Sequence, residues 1–239
     1  MFPLRVVDII INIKNKRLIG PINLQIEQNG ISILLGANGS GKTTLLEALH
    51  GLRKLSGGTV EWAISHSQAA KEQSFVFQSP IMLRRTVAEN LAFPLKVRQP
   101  STSTTKAEVM MWVKKIGLEH KMKQQAVLLS GGEMQAIAVA RALITKPKML
   151  FLDEPTASLD GATKKTIEDI LISASNKGTK ILLSTHDLGQ AKRLAKDIIF
   201  LHNGIVESHC SKEEFLTQPP SKAAKQFLAG DIVLCCAHY

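Results

Sequence analysis

Gly36-Ala37-Asn38-Gly39-Ser40-Gly41-Lys42-Thr43-Thr44 is the stretch from which the rest of the chain can be read. It meets the pattern G-x-x-x-x-G-K-[ST] in full, follows the apolar run Ile31-Ser32-Ile33-Leu34-Leu35, and opens the helix-like run Leu45-Leu46-Glu47-Ala48-Leu49. Glycines let backbone wrap closely around an anion, so that successive N–H groups point at it. A helix N-terminus adds partial positive charge. In such a loop the lysine reaches the β- and γ-phosphates and the hydroxyl serves Mg²⁺; those residues here are Lys42 and Thr43. A flexible glycine turn would account for neither of them, nor for the strand and helix on either side.

Upstream, Phe2 to Ile26 alternates apolar and polar stretches, with turn signals at Asn15-Lys16 and Gly20-Pro21. It predicts a mostly antiparallel β-layer, to which Thr59-Val60-Glu61-Trp62 adds a short strand. Ser74-Phe75-Val76-Phe77-Gln78 reads as a strand ending in a polar residue. From Ser79 to Pro147 the pattern turns helical. Thr86 to Val97 has helical spacing interrupted by Pro94, Gln99 to Thr104 is a polar loop, and Thr105-Lys106-Ala107-Glu108 has capping-box form before a helix from Val109 to Ile116 that Gly117 can end. Strand-like runs return at Met149-Leu150-Phe151-Leu152 and Ile181-Leu182-Leu183-Ser184, with helical character between them at Thr163 to Ser173. The fold class is therefore α/β: a P-loop core with a mostly parallel sheet, an N-terminal antiparallel β-layer and an inserted helical subdomain. The expected partition is 1–78 with 148–210 as core, 79–147 as helical insert, and 211–239 as a C-terminal extension of short helices.

Size and charge agree with this reading. A chain of 239 residues suits one large α/β domain or a core with one insert. No apolar run approaches the roughly 18 residues of a membrane span, and the N-terminus lacks the basic-then-apolar order of a signal peptide. A formal charge of +10 suits anionic partners, although the lysines are scattered and equally describe a solvated basic surface. Cys210, Cys235 and Cys236 form neither a disulfide framework nor a zinc spacing, and His238-Tyr239 fits a prenylation signal badly.

Two further motifs carry chemistry. Lys148-Met149-Leu150-Phe151-Leu152-Asp153-Glu154 is an apolar strand ending in two carboxylates. After a P-loop, the Asp serves Mg²⁺ and the adjacent Glu, pointing the other way, can take a proton from water. Leu129-Ser130-Gly131-Gly132-Glu133 precedes an alanine-rich helix, Met134 to Thr145, and makes a second phosphate-binding helix start, or simply a glycine turn capped by Ser130. Order decides between them: P-loop, Gln78, the Ser130 motif, Asp153-Glu154, Ser158-Leu159-Asp160, then His186.

In that order the chain resembles the ATP-binding-cassette ATPases, the nucleotide-binding subunits of ABC transporters, over roughly residues 4 to 210. The resemblance implies two cassettes paired head to tail, each ATP lying between one subunit's P-loop (Gly36, Ala37, Asn38, Gly39, Ser40, Gly41, Lys42, Thr43, Thr44) and the other's Ser130, Gly131, Gly132 and Glu133. It implies Glu154 as general base, His186 at the γ-phosphate, Asp160 reaching across the dimer, and Thr43, Asp153 and Gln78 as the Mg²⁺ ligands, with Gln78 also linking the site to the insert that receives a membrane permease. It further implies a peripheral protein on the cytoplasmic face of the cell membrane, fed indirectly by a solute-binding protein outside.

Two departures stand out. The family usually stacks adenine on an aromatic before the P-loop, yet Ile11 to Leu18 contains none, and Ile13 is the residue expected nearest the base. Ala136 stands where the family commonly has Arg, while Arg141 remains. The segment Gln78 to Asn90 is similar to that of tungstate, molybdate and phosphate import ATPases, so an oxyanion importer, tungstate first, is the expectation. The competing class is a cassette ATPase acting on nucleic acid or ribosomes. Such proteins carry coiled coils, zinc modules or a second cassette, and the short insert here has neither heptads nor paired cysteines, so no nucleic acid is expected.

Overall fold

The computed structural model describes residues 1–14, 16–98 and 102–231. The turn expected at Asn15, the loop residues 99–101, and Cys235, Cys236, His238 and Tyr239 lie outside the described residues. Strands β1 (Leu4–Ile13), β2 (Lys16–Ile26) and β4 (Gly57–Trp62) form a three-stranded antiparallel sheet in the order β2-β1-β4. A second sheet of six strands runs β5 (Gln73–Val76), β6 (Met149–Asp153), β7 (Lys180–Thr185), β3 (Ile31–Leu35), β8 (Asp197–His202), β9 (Ile205–Ser211). Its pairings are parallel except that of β8 with β9.

The central strands β3, β6 and β7 are buried along their whole length. Two-sided burial is why they read as continuous apolar runs rather than alternating ones. Ile33, Leu35, Leu150, Leu152, Ile181 and Leu183 face a core shared with the helical insert. Their neighbours Leu34, Met149, Phe151 and Leu182 face helix α1 (Lys42–His50) and the antiparallel sheet. The period of two along each strand thus divides one apolar run between two cores.

Between β4 and β5 lies a short helix, α2 (His66–Lys71). The insert is built from α3 (Val87–Arg98), α4 (Thr102–Lys115) and α5 (Gly131–Leu143). Helix α3 continues through Pro94 rather than breaking there. Helix α4 begins well before the expected Val109 and takes in Thr102 to Thr104, which the sequence predicts to be loop. Its buried Val109, Trp112 and Val113, with Ile116 just past its end, supply the apolar stripe, and Glu108 pairs with Lys146 (2.8 Å) instead of capping the helix. The core then continues with α6 (Gly161–Asn176) and α7 (Leu188–Leu194), and α8 (Lys212–Thr217) and α9 (Lys222–Ala229) follow β9.

Gly20-Pro21 does not form the expected turn: both residues lie inside β2. Gly20 has φ +101°, and a Cβ there would stand 2.1 Å from the Ile9 carbonyl oxygen. Its N–H donates to the Gly204 carbonyl (2.8 Å), stitching the antiparallel sheet to the β8–β9 hairpin. That stitch brings the neighbouring Leu18 to the edge of the main sheet where β3, β6 and β7 end.

Candidate functional site

The loop after β3 turns back on itself and starts α1 at Lys42. Gly41 precedes it at φ +104°, where a Cβ would meet Ile19 Cγ2 at 2.5 Å, so no side chain fits. Helix α1 has no side-chain cap. Its first-turn N–H groups therefore have no intrahelical acceptor and point out as donors. The hydroxyl of Ser40 is buried without a partner. Lys42 Nζ lies back over the loop, donating to the carbonyls of Gly36 (3.0 Å) and Ala37 (3.1 Å). A cavity of about 510 Å³ is lined by Asn38, Gly39, Gly41, Lys42, Thr43 and Thr44 together with Gln78, Glu154, His186 and Leu18. Ile13, the residue expected nearest a bound base, does not line it.

The carboxylates arrive from the end of β6, whose Asp153 pairs in register with Ser184 of β7. Asp153 is 3% exposed; its carboxylate accepts from Thr43 Oγ1 (2.7 Å) and Ser184 Oγ (2.6 Å). Glu154 turns the other way, with φ +41°, a left-handed backbone that costs a non-glycine residue about 1–2 kcal/mol. Its N–H is held by Ser184 Oγ (3.0 Å). Its carboxylate bridges Lys42 Nζ (3.2 Å) and His186 Nδ1 (3.1 Å). Gln78, the lysine, both carboxylates and the histidine thus meet at one sheet edge although they are far apart in sequence. Ser184 was not expected; its one signal was its place two residues before His186, at the end of an apolar strand.

Both the oxygen donors and the open N–H groups suit a nucleoside triphosphate with a hard cation. Among the described residues no three His, Cys, Asp or Glu side chains cluster as a metal cage. Mg²⁺ takes one or two protein oxygens alongside substrate phosphates and water; Thr43 Oγ1 and the Asp153 carboxylate, 2.7 Å apart, are oxygens of the kind it takes. The family described as "ABC transporter" matches residues 19–157, more than half of the chain. The chain belongs to the ABC transporter ATPases. It is the ATP-binding subunit of an ABC transporter, an ATPase coupled to transport. The ATP-binding protein of a tungstate uptake system from Peptoclostridium acidaminophilum is 40% identical over 77% of this chain and 87% of its own. A phosphate import ATP-binding protein from Campylobacter jejuni is 34% identical over 90% and 93%. Among solved structures, a dimeric ATP-binding cassette in a post-hydrolysis state bound to ADP and Pi superposes with a TM-score of 0.78 at 26% identity, covering 87% of this chain and 98% of that one. CbiO1 of Clostridium perfringens, part of a transporter complex, superposes with a TM-score of 0.79 at 25% identity over 95% of each chain.

In this ABC ATPase the Leu129–Glu133 motif does not line the cavity of its own P-loop. Ser130 is the N-cap of α5 and forms a full capping box with Glu133. Lys121 holds the Glu133 carboxylate at 2.5 Å, and that contact pulls its pKa below the usual carboxylate range. The motif is thus a fully capped helix start that stands outside this chain's own nucleotide cavity. Asp160 caps α6, accepting from the N–H groups of Ala162 and Thr163 (both 2.9 Å) and from Thr163 Oγ1 (2.7 Å). Those bonds, the Thr163 N–H foremost, lower its pKa. Ala136 is packed into the core at 5% exposure, and other side chains of α5 reach the segment on both sides of Gln78. Gln135 Nε2 reaches the Phe77 carbonyl (3.4 Å), and Arg141 reaches the Ile81 carbonyl (2.7 Å) and Asn90 Oδ1 (3.3 Å).

Asn90 organises that segment, a role its place in the sequence does not reveal. It is fully buried; its Oδ1 accepts from the Leu83 N–H (3.0 Å) and its Nδ2 donates to the carbonyls of Leu83, Arg85 and Thr86 (3.0–3.2 Å). Asn90→Ala strips those partners, and a buried polar group left unsatisfied costs about 1–3 kcal/mol. A urea titration should show a lower midpoint with an unchanged slope; an unmoved midpoint would refute this account of the loop.

Proposed function

We propose that this chain powers an ABC importer of an oxyanion, tungstate first, as one of two identical cassettes paired head to tail on the cytoplasmic face of the cell membrane. The observation that carries the nucleotide chemistry is the meeting of Lys42, Glu154 and His186 with Thr43 and Asp153 beside an uncapped helix start. Lys42, the P-loop N–H groups and the Ser40 hydroxyl bind the β- and γ-phosphates. Thr43 and Asp153, with Gln78, hold Mg²⁺, which when bound draws off charge building on the phosphate oxygens. Glu154 accepts the proton of the attacking water, and His186 orients that water and the γ-phosphate. Ser130, Gly131, Gly132 and Glu133 close over the partner's nucleotide, and Asp160 contacts the partner across the dimer.

The partition into core (1–78 with 148–210), insert (79–147) and extension (211–239) gives the transport step its moving part. A groove between core and insert exposes Leu52, Phe77, Ile81 and Phe93, apolar side chains between 41% and 70% exposed. We assign it to a membrane permease, which would cover these exposed apolar side chains. The Gln135 contact to Phe77 and the Arg141 and Asn90 contacts to Ile81 and Leu83 join the groove to both sides of Gln78, so a permease moving there shifts Gln78. A solute-binding protein outside the membrane delivers the cargo; no nucleic acid takes part. Support for tungstate is the similarity of Gln78–Asn90 and the tungstate relative's 40% identity. The decisive experiment is reconstitution in proteoliposomes with the permease and the binding protein encoded beside it. Tungstate, rather than phosphate or an amino acid, should stimulate ATP turnover; stimulation by phosphate or an amino acid alone would refute the cargo.

Leu18, 38% exposed on the cavity wall, is the apolar face nearest the P-loop in the stretch that lacks an aromatic. Without a stacking ring, which adds about 0.5–1.5 kcal/mol, discrimination of ATP from GTP is expected to stay below about tenfold. Leu18→Tyr should tighten ATP by a similar factor. Competition binding checks both, and a native ATP preference above about a hundredfold would contradict them.

A further inference from the structure

A second cavity, of about 570 Å³, opens among the residues that lead into the parallel strands: Gln28 before β3, Pro147 before β6, Gly178 and Thr179 before β7. It lies at the sheet edge opposite the P-loop and shares no lining residue with the nucleotide cavity. Its volume falls in the range of small-molecule sites. One wall is Trp112 of α4, from the insert; another is Ala174 of α6, from the core; Leu143 closes α5 between them. This apolar interior carries a polar anomaly. Trp112 is 7% exposed and its Nε1–H has no acceptor.

Every ionisable side chain lining the cavity is a lysine. Lys146 and Lys148 have carboxylate partners, Glu108 at 2.8 Å and Glu72 at 3.9 Å. Lys115 and Lys177 have none within ion-pair distance among the described residues. Lys115 lies over the Trp112 ring, 4.9 Å from its centroid. Burial, then the like charge of Lys177, pushes its pKa down. Helices α4, α5 and α6 all end nearby, and their carbonyl termini draw lysines; each end amounts to only about half a negative charge, which leaves the cluster positive.

We propose that this cavity is a binding site for a small amphipathic anion, its apolar body against Trp112, Leu143 and Ala174 and its carboxylate, sulfonate or phosphate head between Lys115 and Lys177. The unpaired lysines and the orphaned indole N–H are all donors, and an anion supplies the acceptors they lack. An occupant touches α4 and α6 together, so it bridges the insert to the core without approaching the nucleotide.

The fluorescent aryl sulfonate 1-anilinonaphthalene-8-sulfonate tests this, with excess Mg-ATP present to occupy the P-loop. One equivalent should bind with energy transfer from Trp112. The neutral analogue N-phenyl-1-naphthylamine, which has the body without the head, should bind at least about tenfold more weakly. Lys115→Gln with Lys177→Gln should weaken the sulfonate about tenfold and leave the neutral compound unchanged. Should that double variant not fold, Lys177→Gln alone, on an exposed side chain, should weaken the sulfonate about two- to fivefold. Equal affinity for the neutral analogue, or sulfonate binding indifferent to the lysines, overturns the site.

Discussion

Glu154→Gln is expected to slow ATP turnover by about 10²–10⁴-fold, the usual contribution of a positioned general base, while nucleotide binding persists. The structure adds a reason why binding survives. Glu154 is ion-paired with Lys42 at 3.2 Å, and that lysine is otherwise satisfied by the Gly36 and Ala37 carbonyls. Glutamine keeps the shape but releases the charge, which leaves Lys42 freer to turn to a phosphate. Affinity for ATP should therefore hold or rise, and the variant should accumulate as an ATP-bound dimer because product formation opens the sandwich. Phosphate release, equilibrium ATP titration and gel filtration measure the three parts. Turnover within tenfold of wild type removes Glu154 from the role of base; lost ATP binding would contradict the account of Lys42.

Ser130→Arg should abolish dimer formation and turnover while a single subunit still binds ATP. Ser130 lies outside its own chain's nucleotide cavity, at the capped start of α5. If that helix start covers the partner's γ-phosphate, a bulky cation there fills the space the phosphate needs. Loss of the cap itself costs about 1 kcal/mol, too little to unfold a domain of this size. Gel filtration with ATP, in a Glu154→Gln background, separates the outcomes. A Ser130→Arg protein that dimerises and hydrolyses ATP is incompatible with the head-to-tail arrangement.

The candidate nucleotide site was legible in the sequence because its signals are local and bound to backbone geometry. Gly41 must be glycine at φ +104° against Ile19, and Lys42 must open the helix. Downstream of a P-loop, an apolar run followed by two carboxylates reads as a buried strand reaching the sheet edge, where β6 ends at Asp153. The Gly20-Pro21 dipeptide misled for the converse reason. A glycine followed by a proline reads as a turn, but here both lie inside β2, where Gly20 accommodates the close approach of the Ile9 carbonyl from β1. Strands β8 and β9 do carry a local signal, the two-residue Asn203-Gly204 that separates them, of the kind that joins hairpin strands.

By itself, then, the sequence determined the P-loop α/β fold, the helical insert and the identity of the phosphate, metal and base candidates, since each rests on residue type at fixed short spacing. Only the tertiary structure decided what those residues touch. The parallel register that sets Asp153 opposite Ser184 lets one serine hold both the carboxylate and the Glu154 N–H. The sheet-to-hairpin stitch at Gly20 and Gly204 puts Leu18 rather than Ile13 at the nucleotide cavity. Convergence of three helix ends gathers unpaired lysines around Trp112. Each of these joins residues distant along the chain, and such contacts are chosen by packing and register, which no single segment encodes.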